Sequence, residues 1–462
     1  MTQMARVAPA GLIITLVAVT VFNDLPPTLP VGELSKDLFI YLFPVLFLFF
    51  ILRPKQIVFP SAFTMLLMGF LASIVLSVAV NYDEIAHAYF KGRSGMNRVI
   101  TQSMAVVLGP LIALMFYNIA KRGQMRTISR GAEVGLWLMM AFGVMEIGGW
   151  YHLPVLTQSF DTLSLALHAR TNDYYPIRLR LTAFESSWTA VMMTFIFPFA
   201  IARASPRRMI FYAGFVMVAM ILAKSRTAML VVGFEFLLLG LVMIRRRKDY
   251  LVYAATLAYA GLLALMLMPS VQRDVGTKVS NLIEFGSTKG LIDPSGGFEN
   301  VSNVTRLAAI RAGRSMFRER PLFGVGFGQY GFNYPDHIRM EDIRSWEVRG
   351  YSIDGDNSDL GWPPAYSLHI RILAEQGLVG YLLWLALILP PLIRSLRLAD
   401  GTSYLGRMHL AVAMTLSGWM LLGASIDSFR FFGGWIALAV GLALPRPPRG
   451  AAGFTSRSGA AS

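Results

Sequence analysis

The stretch AYSLHIRILAEQGLVGYLLWLALIL, residues 365–389, changes character halfway along. Its first part carries His369, Arg371, Glu375 and Gln376, and the rest is an apolar run ending at Leu389. A polar segment that passes straight into such a run reads as the end of an extramembrane loop entering a membrane helix. Upstream lies a polar insert, roughly residues 270–366, and outside it the chain is nearly all apolar.

Composition agrees. Of 462 residues, 55% are hydrophobic and 15% charged, against about a quarter charged in soluble domains. Mean hydropathy is +0.53. The apolar residues gather in runs long enough to cross a ~30 Å hydrocarbon core. With no cysteine there is no disulfide, thiolate metal site or cysteine nucleophile. The six histidines lack the spacing of a zinc motif. A net charge of +15 reads as basic flanks of membrane helices, so no nucleic-acid partner is expected. Arg6 precedes an apolar run with no small-residue cleavage site, so the N-terminus reads as a first helix.

Twelve spans are expected, near 8–22, 37–52, 60–80, 100–119, 132–150, 187–203, 209–223, 227–244, 250–268, 368–393, 406–424 and 432–445. The pair Pro390-Pro391 should end or kink the tenth. Every even-numbered span is followed by a basic loop, as at Arg53, at Lys121 and Arg122, and at Arg207 and Arg208. Both termini are therefore expected in the cytoplasm. This divides the chain into nine spans over 1–268, a large outward loop over 269–367, three spans over 368–445, and a cytoplasmic tail over 446–462.

Some outward loops are basic where orientation does not call for it. Lys224-Ser225-Arg226 sits at the outer end of a tight hairpin, either snorkelling to lipid phosphates or forming an anion site. The loop 151–186 carries Arg170, Arg178, Arg180 and Glu185, and 81–99 reads as interfacial. In the insert, a helix capped by Asn303 and stopped by Pro321 places Arg311, Arg314 and Arg318 on one face. That face is either solvated or a phosphate clamp, because a guanidinium can donate two parallel bonds to a phosphate. The glycines of FGVGFGQY, 323–330, follow a helix and no strand, which excludes a nucleotide loop and leaves a tight turn or close backbone approach. Glu146, Glu235 and Arg371 are charges in or near spans; Glu235 reads as a packing or ion-pair residue. Asp427 and Arg430 read as a surface pair.

Four segments, within roughly 130–400, carry a family resemblance. SRTAML, 225–230, is similar to the Ser-Arg-x-Ala segment of the O-antigen ligase and O-antigen polymerase superfamily of bacterial inner membranes. RLTAFESSWTA, 180–190, resembles that family's Arg-x-x-Gly-x-Phe segment, with Ser186 in the place of its usual proline. RLAAIRAGRSMFRERPLFGVGFGQY, 306–330, resembles its Arg-rich helix and glycine loop, and SLHIRILAEQGLVGYLLW, 367–384, its post-loop helix. Ligases usually begin that last motif with His; here Tyr366 stands at the position, and His369 is three residues out of register.

The resemblance implies an all-α polytopic, GT-C-like membrane protein with its active site on the periplasmic face. It implies a metal-independent glycosyltransferase without cofactor, acting on glycan linked to undecaprenyl diphosphate. Polymerisation of lipid-linked repeats into O-antigen or exopolysaccharide is the favoured activity. Transfer to lipid A core, as in a ligase, is the alternative, and a polysaccharide-related transporter the more remote one. Partners would be the lipid-linked donor, an acceptor glycan, membrane lipid and a chain-length regulator. Arg180, Arg226, Arg306 and Arg311 are expected to hold the diphosphate. Glu185 is the first choice for the catalytic base, then His369, with Tyr366 as a positioning hydroxyl. Glu185 could equally be a carboxylate at the start of its helix.

Overall fold

The computed structural model describes residues 8–26, 28–29, 32–54, 57–167, 178–183, 185–244, 298–354 and 361–445. The expected span 250–268, the first part of the insert, Arg170 and the tail lie outside them. The chain is an all-α polytopic membrane protein. Among the described residues, seven helices are long and apolar enough to cross a membrane and four shorter ones are apolar throughout. All eleven coincide with expected spans.

The helices are α1 (Ala10–Ala18), α2 (Leu38–Ile51), α3 (Ser61–Val80), a short α4 (Tyr82–His87), α5 (Gly95–Lys121) and α6 (Met125–Trp150). Then follow α7 (Pro154–Leu167), α8 (Ser186–Ile201), α9 (Pro206–Ala223) and α10 (Arg226–Ile244). The insert contributes α11 (Phe298–Glu319), α12 (Tyr330–Asn333) and α13 (Trp346–Ser352), and the chain closes with α14 (Leu368–Leu398), α15 (Tyr404–Leu422) and α16 (Phe432–Ala443).

Some expectations gain detail and others are corrected. The loop 151–186 contains α7, which opens with Pro154 at a position that loses no hydrogen bond there. The segment 81–99 holds α4 and a small hairpin, Tyr89–Phe90 against Arg93–Ser94, turned through Lys91 and Gly92, both at positive φ. Helix α11 begins at Phe298, so Asn303 lies inside it and is no cap; it ends at Glu319, before Pro321. Pro390-Pro391 do not end α14, which continues to Leu398 and is interrupted instead at Gly377, with φ 66° and ψ −163°.

Close backbone approach holds the bundle together, as it must where lipid supplies no hydrophobic drive for helices to associate. Gly109 of α5 lies under the indole of Trp435 in α16, where a Cβ would come within 2.2 Å of the ring. Gly131 of α6 lies against Val17 of α1, where a Cβ would approach to 2.6 Å. Trp384, Trp419 and Trp435 pack edge to face, with centroids 5.1–5.9 Å apart. Such rings favour this geometry because positive edges meet negative faces.

Gly109→Leu should destabilise the fold by about 1–3 kcal/mol through overpacking against Trp435. Gly214→Leu, at a position with open space around it, should be near neutral. Thermal midpoints of the purified variants test the contrast.

Candidate active site

The site forms where the glycine loop enters the break in α14. In an unbroken helix, Leu378 N–H would bond to Ala374 O and Val379 N–H to Glu375 O. Here Leu378 N–H donates to Pro321 O at 2.8 Å and Val379 N–H to Leu322 O at 3.4 Å. The abandoned acceptors are also filled: Val325 N–H donates to Ala374 O at 2.8 Å, and Ser77 Oγ to Glu375 O at 2.6 Å. Glycine is required at both faces of this joint. A Cβ on Gly377 would lie 2.3 Å from Leu322 O, and one on Gly324, at φ 68°, 2.4 Å from Ala374 O. The expected close approach of the loop is thus made against α14.

Arg371 and Glu375 of the broken helix enter one buried network. Arg371 Nε lies 3.3 Å from Glu375 Oε2, its Nη1 donates to Asp427 O at 2.8 Å, and its Nη2 donates to Gln102 Oε1 of α5 at 2.7 Å. The other oxygen of Glu375 accepts Tyr330 N–H at 3.3 Å, tying the end of the glycine loop to the same carboxylate. Asp427 Oδ2 accepts Ala365 N–H at 2.7 Å and so fixes the chain just before Tyr366. Arg98, one turn before Gln102 on α5, stacks 4.9 Å from the centroid of Trp362. Arg430 lies 3.1 Å from Asp37 and 5.1 Å from the centroid of Trp188. Asp427 and Arg430 are therefore no pair: each serves a different neighbour.

The residues singled out in sequence fall into three groups. Arg306 and Tyr366 meet, the guanidinium lying 5.2 Å from the phenol centroid. Tyr366 holds a left-handed backbone at φ 52°, and burial with Tyr351 beside it raises its hydroxyl well above the usual phenol range. Arg180 and Arg226 are positioned along neighbouring segments. Leu179 N–H donates to Leu222 O at 3.0 Å, which lays the Arg180 segment on the last turn of α9, just before the Lys224-Ser225-Arg226 turn. Glu146 grips that segment, accepting Arg180 N–H at 3.0 Å and Leu181 N–H at 2.9 Å. Glu185 stands immediately before α8, where its carboxylate takes the Ser187 hydroxyl and caps no backbone N–H.

Arg311 and His369 go elsewhere. Arg311 pairs with Asp342 on a different face of α11 from Arg306, and Arg314 and Arg318 are exposed. His369 packs towards α15. Its Nε2 bonds to Met420 O at 2.8 Å and its Nδ1 lies 3.4 Å from the Tyr381 hydroxyl. It leaves α14 about 200° around from Arg371. Glu235 is buried against Gly418 and Thr194, and among the described residues no ion pair holds it. Among the described residues no group of three or more His, Asp or Glu side chains could hold a metal.

Sequence reasoning missed Arg98, Gln102, Glu375, Asp37 and Glu33. The signal that could have found several of them was a charge or amide placed at the apolar border of a span.

Residues 210–385 match the O-antigen ligase family model. No curated protein matches the chain. The matched stretch contains the Lys224-Ser225-Arg226 turn, α11, the glycine loop and the break in α14, and leaves out Arg98, Arg180, Asp427 and Arg430.

Gly377→Ala should abolish activity and lower the thermal midpoint, because both its dihedral angles and its space admit only glycine. Burial pushes the Asp37 carboxyl up to about 7, against the pull of Arg430. Its folded pKa thus lies above the ordinary 3.8, so its contribution to stability is greatest at low pH and falls as pH rises from about 4 to 7. Asp37→Asn should flatten the dependence of thermal midpoint on pH across that window.

Proposed function

For a chain of the O-antigen ligase and polymerase superfamily, we propose that this site polymerises oligosaccharide repeats carried on undecaprenyl diphosphate, on the periplasmic face of the inner membrane. The observation that carries the choice of polymerase is the environment of Tyr366. It stands where ligases usually carry a histidine, and a phenol raised in pKa by burial stays protonated at neutral pH, so it donates a hydrogen bond and cannot act as a base. His369 does not replace the missing base, since both ring nitrogens face α15 and Tyr381.

Transfer joins the acceptor hydroxyl oxygen to C1 of the donor sugar and breaks the bond from C1 to the diphosphate. Negative charge grows on the leaving diphosphate, and Arg180, Arg226 and Arg306 stabilise it more in the transition state than in the ground state. Glu185 takes the acceptor proton as the new bond forms. Tyr366, with Arg306 on its ring, orients the sugar by donating a hydrogen bond. Arg311, committed to Asp342, shapes the insert. The chemistry needs no metal, because fixed guanidiniums supply the charge that a cation would.

The test is transfer by purified protein from a lipid-diphosphate oligosaccharide, with and without lipid A core, alongside Arg226→Ala. Longer lipid-linked chains without core are expected, with the rate falling about 10²-fold in the variant. Product only with core would make the protein a ligase. No transfer, together with substrate counterflow in proteoliposomes, would make it a transporter.

A further inference from the structure

The network around Arg371 has a feature that the proposed transfer chemistry does not use. Three guanidiniums from distant parts of the chain come together there. Arg98 and Gln102 are four residues apart on α5 and so share a face, and Gln102 binds Arg371. Arg371 reaches the 425–431 loop through Asp427 O and lies 5.5 Å from the centroid of Phe429, the residue before Arg430. Arg371 and Arg430 keep only 10% of their side-chain surface exposed.

Their counter-charges are unevenly shared. Arg371 has Glu375, and Arg430 has Asp37. Among the described residues no carboxylate lies within ion-pair distance of Arg98, and its buried Nε has no hydrogen-bond partner. Further negative charge comes from Asp427, whose carboxylate also acts on Arg371, and from Glu33, on the short turn Gly32–Lys36, whose carboxylate lies 3.7 Å from Arg430 Nε. Unlike Glu375 and Asp37, Glu33 is 62% exposed. Burial in the cluster pushes its carboxyl up, but Arg430, Arg98 and Arg371 outweigh that and hold it below its ordinary value. It is an ionised carboxylate on an exposed turn, beside the buried guanidinium of Arg430. Arg371 spends three of its five N–H donors on protein, leaving two for another acceptor.

We propose that Arg98, Arg371 and Arg430 form a phosphate-binding site for the lipid-diphosphate substrate, and that Glu33 is a displaceable counter-ion which the phosphate replaces. This rests on the lipid-diphosphate reading above and adds a second set of cations to it. A phosphate oxygen takes the position of the Glu33 carboxylate and meets Arg98, which no buried carboxylate serves. The turn carrying Glu33 then swings away, so occupancy is coupled to movement of the segment before α2. The competition lowers affinity for stray anions and leaves the site to a ligand that brings more than one negative charge.

The experiment titrates inorganic pyrophosphate and farnesyl diphosphate into the full-length protein in neutral detergent, by calorimetry. Glu33→Gln should bind both about 10-fold more tightly than wild type even though its thermal midpoint falls, because the ionised carboxylate stabilises the unliganded fold. Arg98→Gln should bind about 10-fold more weakly, and Arg98→Lys should recover most of the loss, which separates charge from packing against Trp362. Equal or weaker binding by Glu33→Gln overturns the proposal, as does unchanged binding by Arg98→Gln. In nanodiscs, phosphatidylglycerol should not compete with farnesyl diphosphate. Full competition would make this a headgroup site and overturn its assignment to substrate. Glycan transfer without any effect of Glu33→Gln sinks this site alone, whereas the expected binding without transfer leaves it standing and removes the polymerase reading.

Discussion

A helix that breaks at the border of a membrane must find partners for the backbone groups it frees, and no lipid can supply them. At Gly377 the partners come from Pro321, Leu322 and Val325 of the insert and from Ser77 of α3. The rest of the site depends on this exchange. It brings the glycine loop to α14, sets Tyr330 N–H on Glu375, and so orients the carboxylate that holds Arg371. Two glycines, 324 and 377, pack backbone against backbone with no room for a methyl group on either. A loop docked in this way is part of the bundle, so the residues it carries are held as firmly as those of a helix.

The electrostatics follow from burial. Guanidiniums at this depth are costly unless paired, and Arg371 and Arg430 each have a carboxylate and further hydrogen-bond acceptors. Several are also stacked on aromatic rings, Arg98 on Trp362, Arg306 on Tyr366 and Arg430 on Trp188. Stacking leaves the charge and the edge donors of a guanidinium available while its flat face is shielded. A site built in this way can hold several cations close together without closing them to a ligand.

Much of the fold could be read from the chain. Apolar runs near twenty residues leave few alternatives to a membrane helix, and every expected span among the described residues is an apolar helix, seven of them long enough to cross a membrane. The motifs around Arg226, Arg306 and the glycine loop were legible for a similar reason, because their spacing is local. What could not be read is pairing across distance. Arg371 and Gln102 are 269 positions apart. Asp427 and Arg430 are neighbours in sequence and looked like a pair, yet the loop between them turns them to different helices. The prolines at 390 and 391 looked like the break in α14, since each lacks a donor. The true break is at a glycine, because what decides it is the loop that docks there. His369 was plausible by type and position, and the helical period turns it away from Arg371.

The joint at Gly377 also carries information about the order of synthesis. Pro321 to Val325 leave the ribosome about fifty residues ahead of Ala374 to Val379. The segment that caps the broken helix is therefore synthesised before the helix it caps. The second half of α14 completes its hydrogen bonding only when that earlier segment is in place, so the late helices are assembled on a docking edge that the insert has prepared.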